Sequence, residues 1–327
     1  MTGEIDPSEV RLFTGSSNPQ LAADIAGNLG VPLDKTEITR FSNDDLYIQL
    51  GASVRSRTIF IIQSLSPPVN DHLMELLMML DIARSASAQE VHAIIPYFSF
   101  ARSDKKDAPR ISITARLVAD LLQTAGATHV MTMMLHSPQV HGFFSVPTDP
   151  LSSRPVLKHH FQEHDLSGTI VVAPDMGQAK SAARFALDLG LPVAAGNKER
   201  VSDTLVHISG IIGHPVPGFR RALIYDDEIA TGGSILEMSR LLVELGLEEL
   251  WVTCTHGVFV REGLERLAAV PQITEIVTTD TVHIPREKRP PKLHVLSVAS
   301  VFGEAIRRNY LRQSIGDLFV FGDESRS

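Results

Sequence analysis

Two neighbouring carboxylates lie just before a short run of small and hydroxyl-bearing residues in the second half of the chain. Asp226 and Asp227 end the apolar stretch ALIYDD, and a glycine-rich segment follows four residues later. That segment consists of Thr231, Gly232, Gly233 and Ser234. Glycines let backbone N–H groups approach a phosphate closely, hydroxyls donate hydrogen bonds to it, and carboxylates accept hydrogen bonds from sugar hydroxyls or hold a cation. The spacing therefore predicts a site for a sugar phosphate.

The glycine-rich segment also needs a strand before it and a helix after it. ALIYDD has the composition of a buried strand, and the residues from Gly233 onward have helical spacing. A loop between such elements directs backbone N–H groups outward, and the helix dipole adds partial positive charge. The alternative is an ordinary strand-to-helix turn whose acids cap the helix. The length of the pattern favours the phosphate site.

Short apolar runs alternate with segments of helical period along the whole chain, as in βαβ units. We therefore predict an α/β fold with two similar domains, each a mostly parallel sheet flanked by helices. The stretch VPTDPLSSRP interrupts the pattern, so we place an N-terminal domain at residues 1–152 and a C-terminal domain at 153–303. Sequence alone does not assign the last helical segment, 304–319, to either half, and the N-terminal domain is the candidate.

Composition excludes several classes of function. The net charge of −8 argues against general affinity for nucleic acid or an anionic membrane surface. The single cysteine, Cys254, lies in an apolar run and fits a reducing compartment. The N-terminus lacks the features of a signal peptide, and no apolar stretch approaches membrane-spanning length. We expect a soluble, cytoplasmic protein.

The phosphate segment resembles the phosphoribosyl-diphosphate-binding loop of the phosphoribosyltransferase fold. Segments along nearly the whole chain further resemble the ribose-phosphate diphosphokinase family, also called phosphoribosyl diphosphate synthetases. They are FSNDDLYIQL, PYFSFARSDKKD, ITARLVADLLQTAGATHV, LHSPQVHGFF, PDMGQAKSAARFA, NKER, THGVF and EAIRRNY. The resemblance implies two phosphoribosyltransferase-like domains, ATP and ribose 5-phosphate as substrates, and Mg²⁺ as cofactor. The implied reaction transfers the diphosphoryl group of ATP to the 1-hydroxyl of ribose 5-phosphate, giving 5-phosphoribosyl 1-diphosphate and AMP.

The same resemblance assigns roles to residues. Thr231 to Ser234 hold the 5-phosphate, and Asp226 with Asp227 hold the ribose hydroxyls. Asp175 meets Mg²⁺ and the ribose, while His136 meets Mg²⁺ and ATP. Lys198 and Arg200 match a mobile loop whose two cations close over the transferring group, which makes them the catalytic candidates. The remaining ATP-binding candidates are Phe41, Asn43, Asp45, Arg102, Ser103 and Asp104.

The chain departs from the family pattern at several of these positions. Ser103 replaces the usual glutamine, and Met134 and Ser145 replace aspartates, although Asp149 remains. Ala230 stands where an acid usually precedes the phosphate-loop threonine. Gln178 replaces the second of two glycines, which predicts a narrower diphosphate loop.

These departures keep two other functions open. One is a catalytically weak or silent regulatory subunit of the same family that binds nucleotide, and the other is a phosphoribosyltransferase that consumes the diphosphate. The second does not explain the FSNDD and FARSDKK segments. The resemblance also implies a dimer-based homo-oligomer such as a hexamer and regulation by phosphate or ADP, with Arg110 near the regulatory site. Lacking ligand-like neighbours in sequence, His159 and His160 are expected to be surface residues.

Overall fold

The computed structural model describes residues 5–200 and 206–319, without the side chains of residues 198–200 and 206–209. The chain divides into two compact units. Unit 1 comprises residues up to Ser152 together with 281–283 and the segment from Val298 onward. Unit 2 comprises residues 153–280 and 284–297.

Unit 1 contains a five-stranded sheet in which all neighbours run parallel. Its order is β1, β4, β5, β6, β7, and a separate antiparallel pair is formed by β2 and β3. The strands are β1 Val10–Thr14, β2 Thr36–Arg40, β3 Leu46–Leu50, β4 Thr58–Ile62, β5 Glu90–Ile95, β6 His129–Met133 and β7 Thr148–Leu151. Its helices are α1 Pro19–Leu29, α2 Val69–Ser85, α3 Thr114–Ala125 and α8 Ala299–Tyr310.

Unit 2 contains a seven-stranded sheet of order β10, β9, β8, β11, β12, β13, β14. Only β10, at one edge, is antiparallel to its neighbour. The strands are β8 Thr169–Ala173, β9 Val193–Arg200, β10 Val206–Gly213, β11 Arg221–Ile229, β12 Glu249–Gly257, β13 Ile273–Thr279 and β14 Leu293–Leu296. The helices are α4 Arg154–Gln162, α5 Ala179–Leu189, α6 Gly233–Glu244 and α7 Gly263–Ala268. The predicted α/β class is confirmed.

Local sequence sets the limits of these elements where capping residues are strong. Helix α1 begins after Asn18, whose side chain accepts a hydrogen bond from the Leu21 N–H, with Pro19 in the first turn. It ends at Gly30, which has a left-handed φ of 70°. The last helix, α8, packs on α1 within unit 1, where Arg307 donates a hydrogen bond of 2.8 Å to the carbonyl of Asn28.

Four short or edge strands were not anticipated. The segment interpreted as a linker contains β7, whose Thr148 and Asp149 pair with β6. The β2 and β3 hairpin is largely exposed, and β10 is an edge strand. Across the described part of the chain, no helix has both the length and the apolar character needed to cross a membrane.

Candidate functional site

The predicted phosphate segment forms the turn between β11 and α6. Gly232 begins the helix with a left-handed φ of 73°, a backbone conformation that glycine adopts without strain. The first N–H groups of a helix have no partner within it, so they are available to an anion. Thr231 and Gly233 are exposed, and Ser234 is half-buried. The structure thus presents the turn as an accessible helix N-terminus.

Two elements bring three carboxylates to the carboxyl edge of the unit 2 sheet. Asp226 and Asp227 lie near the carboxyl end of β11, and Asp175 follows β8, which is paired with β11 in parallel. Asp227 is buried, and its backbone N–H donates a 2.9 Å hydrogen bond to the carboxylate of Asp226. These acids therefore converge beside the turn that begins α6.

The electrostatics of this cluster are unfavourable for three full negative charges. Burial raises the pKa of Asp226 well above its ordinary value, and the charges of Asp227 and Asp175 raise it further. Carboxylate oxygens are the ligands that Mg²⁺ prefers, and a divalent cation relieves crowding of this kind. Asp175 and Asp226 therefore fit the cofactor that the sequence predicts.

Gln178, predicted only to narrow the diphosphate loop, makes two connections in the cluster. Its backbone N–H donates to Asp175 at 3.2 Å, and its side-chain amide donates to Asp227 Oδ1 at 2.8 Å. Both Gln178 and Asp227 are buried. The residue that departs from the family pattern thus orients one of the proposed ribose ligands, a role that sequence reasoning missed.

Gly263 also supports the turn between β11 and α6, the predicted phosphate site that we call the phosphate turn, and it was not identified from sequence. A Cβ at this position would lie 2.8 Å from the carbonyl oxygen of Ala230 and 3.1 Å from Thr231. The Ala230 carbonyl also accepts a hydrogen bond of 2.9 Å from the Val260 N–H. The start of α7 therefore packs directly under the phosphate turn, which only a residue without a side chain permits. In the sequence, Gly263 lies in the segment REGLE, and no local pattern there indicates this contact.

The two catalytic candidates lie at the end of β9. The backbone of Lys198 pairs with Ile208 and that of Arg200 with Val206, so the segment predicted as a loop continues as a strand through residue 200. The side chains of both residues lie outside the part of the structure that is described. Their catalytic roles remain predictions.

In unit 1, the first group of ATP candidates forms the turn of the β2 and β3 hairpin. Phe41 is 51% exposed, which is unusual for a large apolar ring, and it approaches Tyr47 with a centroid distance of 5.9 Å. Asn43 and Asp45 are exposed in the same turn, which the 2.8 Å hydrogen bond from the Phe41 N–H to the Asp45 carbonyl closes. The hairpin presents an aromatic face and polar groups together.

The second group follows the carboxyl ends of β5 and β6, which are neighbours in the sheet. Arg102 and His136 are exposed. The hydroxyl of Ser137 donates a 2.5 Å hydrogen bond to Asp104, which ties the two loops together. Ser103 is used differently: its Oγ accepts from the Thr114 N–H at 3.2 Å, at the start of α3. The structure therefore brings Asp104 and the His136 loop together, while the Ser103 side chain supports a helix.

The departures near His136 have structural roles of their own. Met134 is buried with a left-handed φ of 42°, and Ser145 is exposed. Asp149 lies on β7 with its carboxylate 2.8 Å from His129 Nε2, and His129 Nδ1 is 3.0 Å from a ring nitrogen of His92. Asp149 is therefore part of a buried histidine cluster of the sheet.

Comparison with known proteins gives a consistent assignment over nearly the whole chain. Residues 10–126 match a family described as the N-terminal domain of ribose phosphate pyrophosphokinase, and residues 210–320 match the phosphoribosyl synthetase-associated domain. A Streptomyces coelicolor protein, provisionally named a ribose-phosphate pyrophosphokinase, is 50% identical over 95% of this chain and 98% of its own length. The ribose-phosphate pyrophosphokinase of Deinococcus radiodurans is 46% identical over 96% of this chain and 98% of its own length.

A solved structure agrees with these sequence relatives. The crystal structure of phosphoribosylpyrophosphate synthetase from Mycobacterium smegmatis superposes with a TM-score of 0.87 at 35% identity. The match covers 93% of this chain and 99% of the other. The likeness therefore extends through both units.

Proposed function

The chain belongs to the ribose-phosphate pyrophosphokinase family, and we propose that it converts ATP and ribose 5-phosphate into 5-phosphoribosyl 1-diphosphate and AMP. The local observation that carries the assignment is the exposed N-terminus of α6 beside the carboxylates of Asp175, Asp226 and Asp227. A sugar phosphate satisfies both halves of this arrangement, because its phosphate accepts hydrogen bonds and its hydroxyls donate them.

The reaction is a displacement at the β-phosphorus of ATP. The ribose 1-oxygen forms a bond to that phosphorus, the bond between the β-phosphorus and the oxygen it shares with the α-phosphorus breaks, and the hydroxyl proton is released. Catalysis of phosphoryl-type transfer depends on positioning and on neutralising charge. Unit 2 therefore supplies the groups proposed for ribose 5-phosphate. Residues 231–234 hold the 5-phosphate, and Asp226 and Asp227 orient the ribose hydroxyls.

Unit 1 supplies the groups proposed for ATP. Exposed Phe41 offers a stacking surface for the adenine ring, and Asn43 and Asp45 offer polar contacts beside it. Arg102 is a planar cation suited to phosphate oxygens. Asp104 is held to the His136 loop through Ser137.

The remaining requirement is compensation of negative charge. We assign Asp175 of unit 2 and His136 of unit 1 as residues that would hold Mg²⁺, which would neutralise phosphate charge when bound. Lys198 and Arg200 are proposed to approach the transferring group only during turnover, which would stabilise the transition state without retaining the product. Loss of either should lower kcat more than it changes the KM values.

We also propose a homo-oligomer built from dimers, regulation by phosphate or ADP, and a cytoplasmic location. The resemblance supports the first two, with Arg110 exposed in the segment expected to bind the regulator. The free, buried Cys254 agrees with a reducing compartment.

Product analysis tests the reaction. Purified protein is mixed with Mg²⁺, ATP and ribose 5-phosphate, and AMP and phosphoribosyl diphosphate are separated by chromatography. We expect equimolar products from the natural chain and almost none from Lys198→Ala. Absence of AMP in folded protein that still binds ATP would instead assign the chain to the silent subunits.

A further inference from the structure

Three histidines surround one carboxylate in unit 2, and the carboxylate is more than one hundred residues along the chain from two of them. Glu275 on β13 is buried, and its Oε1 lies 2.7 Å from His160 Nε2 and 3.7 Å from His294 Nε2. Its other oxygen, Oε2, lies 3.2 Å from His164 Nε2. The expectation that His160 is a simple surface residue was therefore wrong, whereas His159 is 82% exposed.

The hydrogen bonding of His164 determines which of its two ring nitrogens carries the unshared electron pair. Its Nδ1 lies 3.0 Å from the carbonyl oxygen of His160, and a carbonyl only accepts, so Nδ1 carries a proton. In the neutral ring, Nε2 then has a lone pair, and it faces an oxygen of Glu275. Two electron-rich atoms at 3.2 Å repel unless a positive charge lies between them. A histidine whose second nitrogen is held by a backbone carbonyl is the usual arrangement of a metal ligand.

The separations of the ligand atoms suit a transition metal. In a tetrahedral site with bonds of about 2.0–2.2 Å, ligand atoms lie roughly 3.3 Å from one another. Glu275 Oε1 lies 2.7 Å from His160 Nε2 and Glu275 Oε2 lies 3.2 Å from His164 Nε2, close to that value. One ligand atom each from His160, His164 and Glu275 all lie within 4.8 Å of one another. A shift of about half an ångström in the shortest contact reaches the required geometry.

Packing in the core of unit 2 holds α4 in place, and the cluster remains accessible from solvent. His160 lies in the last turn of α4 and His164 lies two residues beyond its end, and their rings are 5.0 Å apart. Leu157 and Phe161 on the same helix are completely buried in the core of unit 2. His294 is half-exposed and leaves the cluster accessible from solvent.

We propose that His160, His164 and Glu275 bind one divalent transition-metal ion, with zinc as the metal that best fits two imidazoles and a carboxylate. Imidazole nitrogen suits zinc, cobalt, nickel and copper, whereas magnesium prefers oxygen, so this site is distinct in chemistry from the cofactor site of the reaction. The ion joins the C-terminal end of α4 to β13 and stabilises unit 2.

The register of the sheet separates this site from the substrate edge. Glu275 pairs with Trp251, which pairs with Leu223, three residues before Asp226 on β11. Three residues of strand correspond to about 10 Å. The metal therefore acts on structure and not on the reacting groups.

The single tryptophan of the chain provides the measurement. The ring of Trp251 lies 5.0 Å from that of His164, so a paramagnetic ion bound at the cluster quenches its fluorescence. Protein without a histidine tag is stripped with a chelator and titrated with Co²⁺ in excess Mg²⁺, which saturates oxygen-only sites. We expect one equivalent of Co²⁺, a visible absorption band from bound Co²⁺, and displacement by Zn²⁺.

Matched variants locate the ion. His160→Gln and His164→Gln should each weaken binding about tenfold or more. His159→Gln, on the same helix but exposed, should leave it unchanged. Zn²⁺ should raise the melting temperature of the natural chain and of His159→Gln but not of the other two. Equal Co²⁺ affinity in all folded variants would overturn the proposal. So would the absence of saturable Co²⁺ binding to the folded natural chain, and protonated imidazoles would then be the source of positive charge.

Discussion

The hydrogen bond between Gln178 and Asp227 allows a quantitative test of how the ribose ligands are oriented. Gln178→Met keeps the length of the side chain and removes its amide. The bond is 2.8 Å long and joins two buried side chains, at 8% and 3% exposure, so solvent cannot readily replace it. The variant therefore leaves a buried carboxylate with one donor fewer.

The size of the effect follows from the charge of the acceptor. A hydrogen bond to a charged group contributes about 1.5–3 kcal/mol, which corresponds to roughly a 10–150-fold change in an equilibrium constant. We expect the free energy of unfolding of unit 2 to fall by about that amount. We also expect the KM for ribose 5-phosphate to rise, because Asp227 loses a fixed orientation, while the KM for ATP stays unchanged.

Denaturant unfolding followed by the fluorescence of Trp251, a residue of unit 2, measures the first quantity, and steady-state kinetics measures the second. Gln162→Met, the same substitution at an exposed position, is the control. Unchanged stability and an unchanged KM for ribose 5-phosphate in Gln178→Met would refute the orienting role.

Three further substitutions test neighbouring parts of the site. Asp226→Asn should gain stability over the natural chain as pH rises, because the raised pKa of Asp226 makes its ionisation costly to the folded state. The same variant should lose turnover. Free energies of unfolding that change in parallel with pH in the two proteins would contradict this prediction. Ser137→Ala should raise the KM for ATP alone, by loosening Asp104; an equal effect on both substrates would argue otherwise. Gly263→Ala should cost about 1–3 kcal/mol in thermal unfolding and weaken binding of ribose 5-phosphate in calorimetry, because its Cβ meets the Ala230 carbonyl; unchanged binding would dismiss the contact.

Features encoded by adjacent residues were predictable. The limits of α1 follow from Asn18, Pro19 and Gly30, and the phosphate turn follows from the order of acids, hydroxyls and glycines after β11. The α/β class follows from the alternation of periods along the chain.

Features that depend on distant contacts were not predictable. Gln178 and Asp227 are 49 residues apart, and His160 and Glu275 are 115 residues apart, so no local pattern relates them. The β2 and β3 hairpin was missed because its residues are largely exposed and lack the strong apolar alternation of a buried strand.

In the proposed reaction, a diphosphoryl group moves as one unit from ATP to the 1-oxygen of ribose 5-phosphate. ATP labelled at its β-phosphorus distinguishes this reaction from all single phosphoryl transfers. We expect the label to appear entirely in phosphoribosyl diphosphate, in step with unlabelled AMP, and only when ribose 5-phosphate and Mg²⁺ are present. Label recovered in ADP, or retained in ATP by folded protein that binds both substrates, would contradict it.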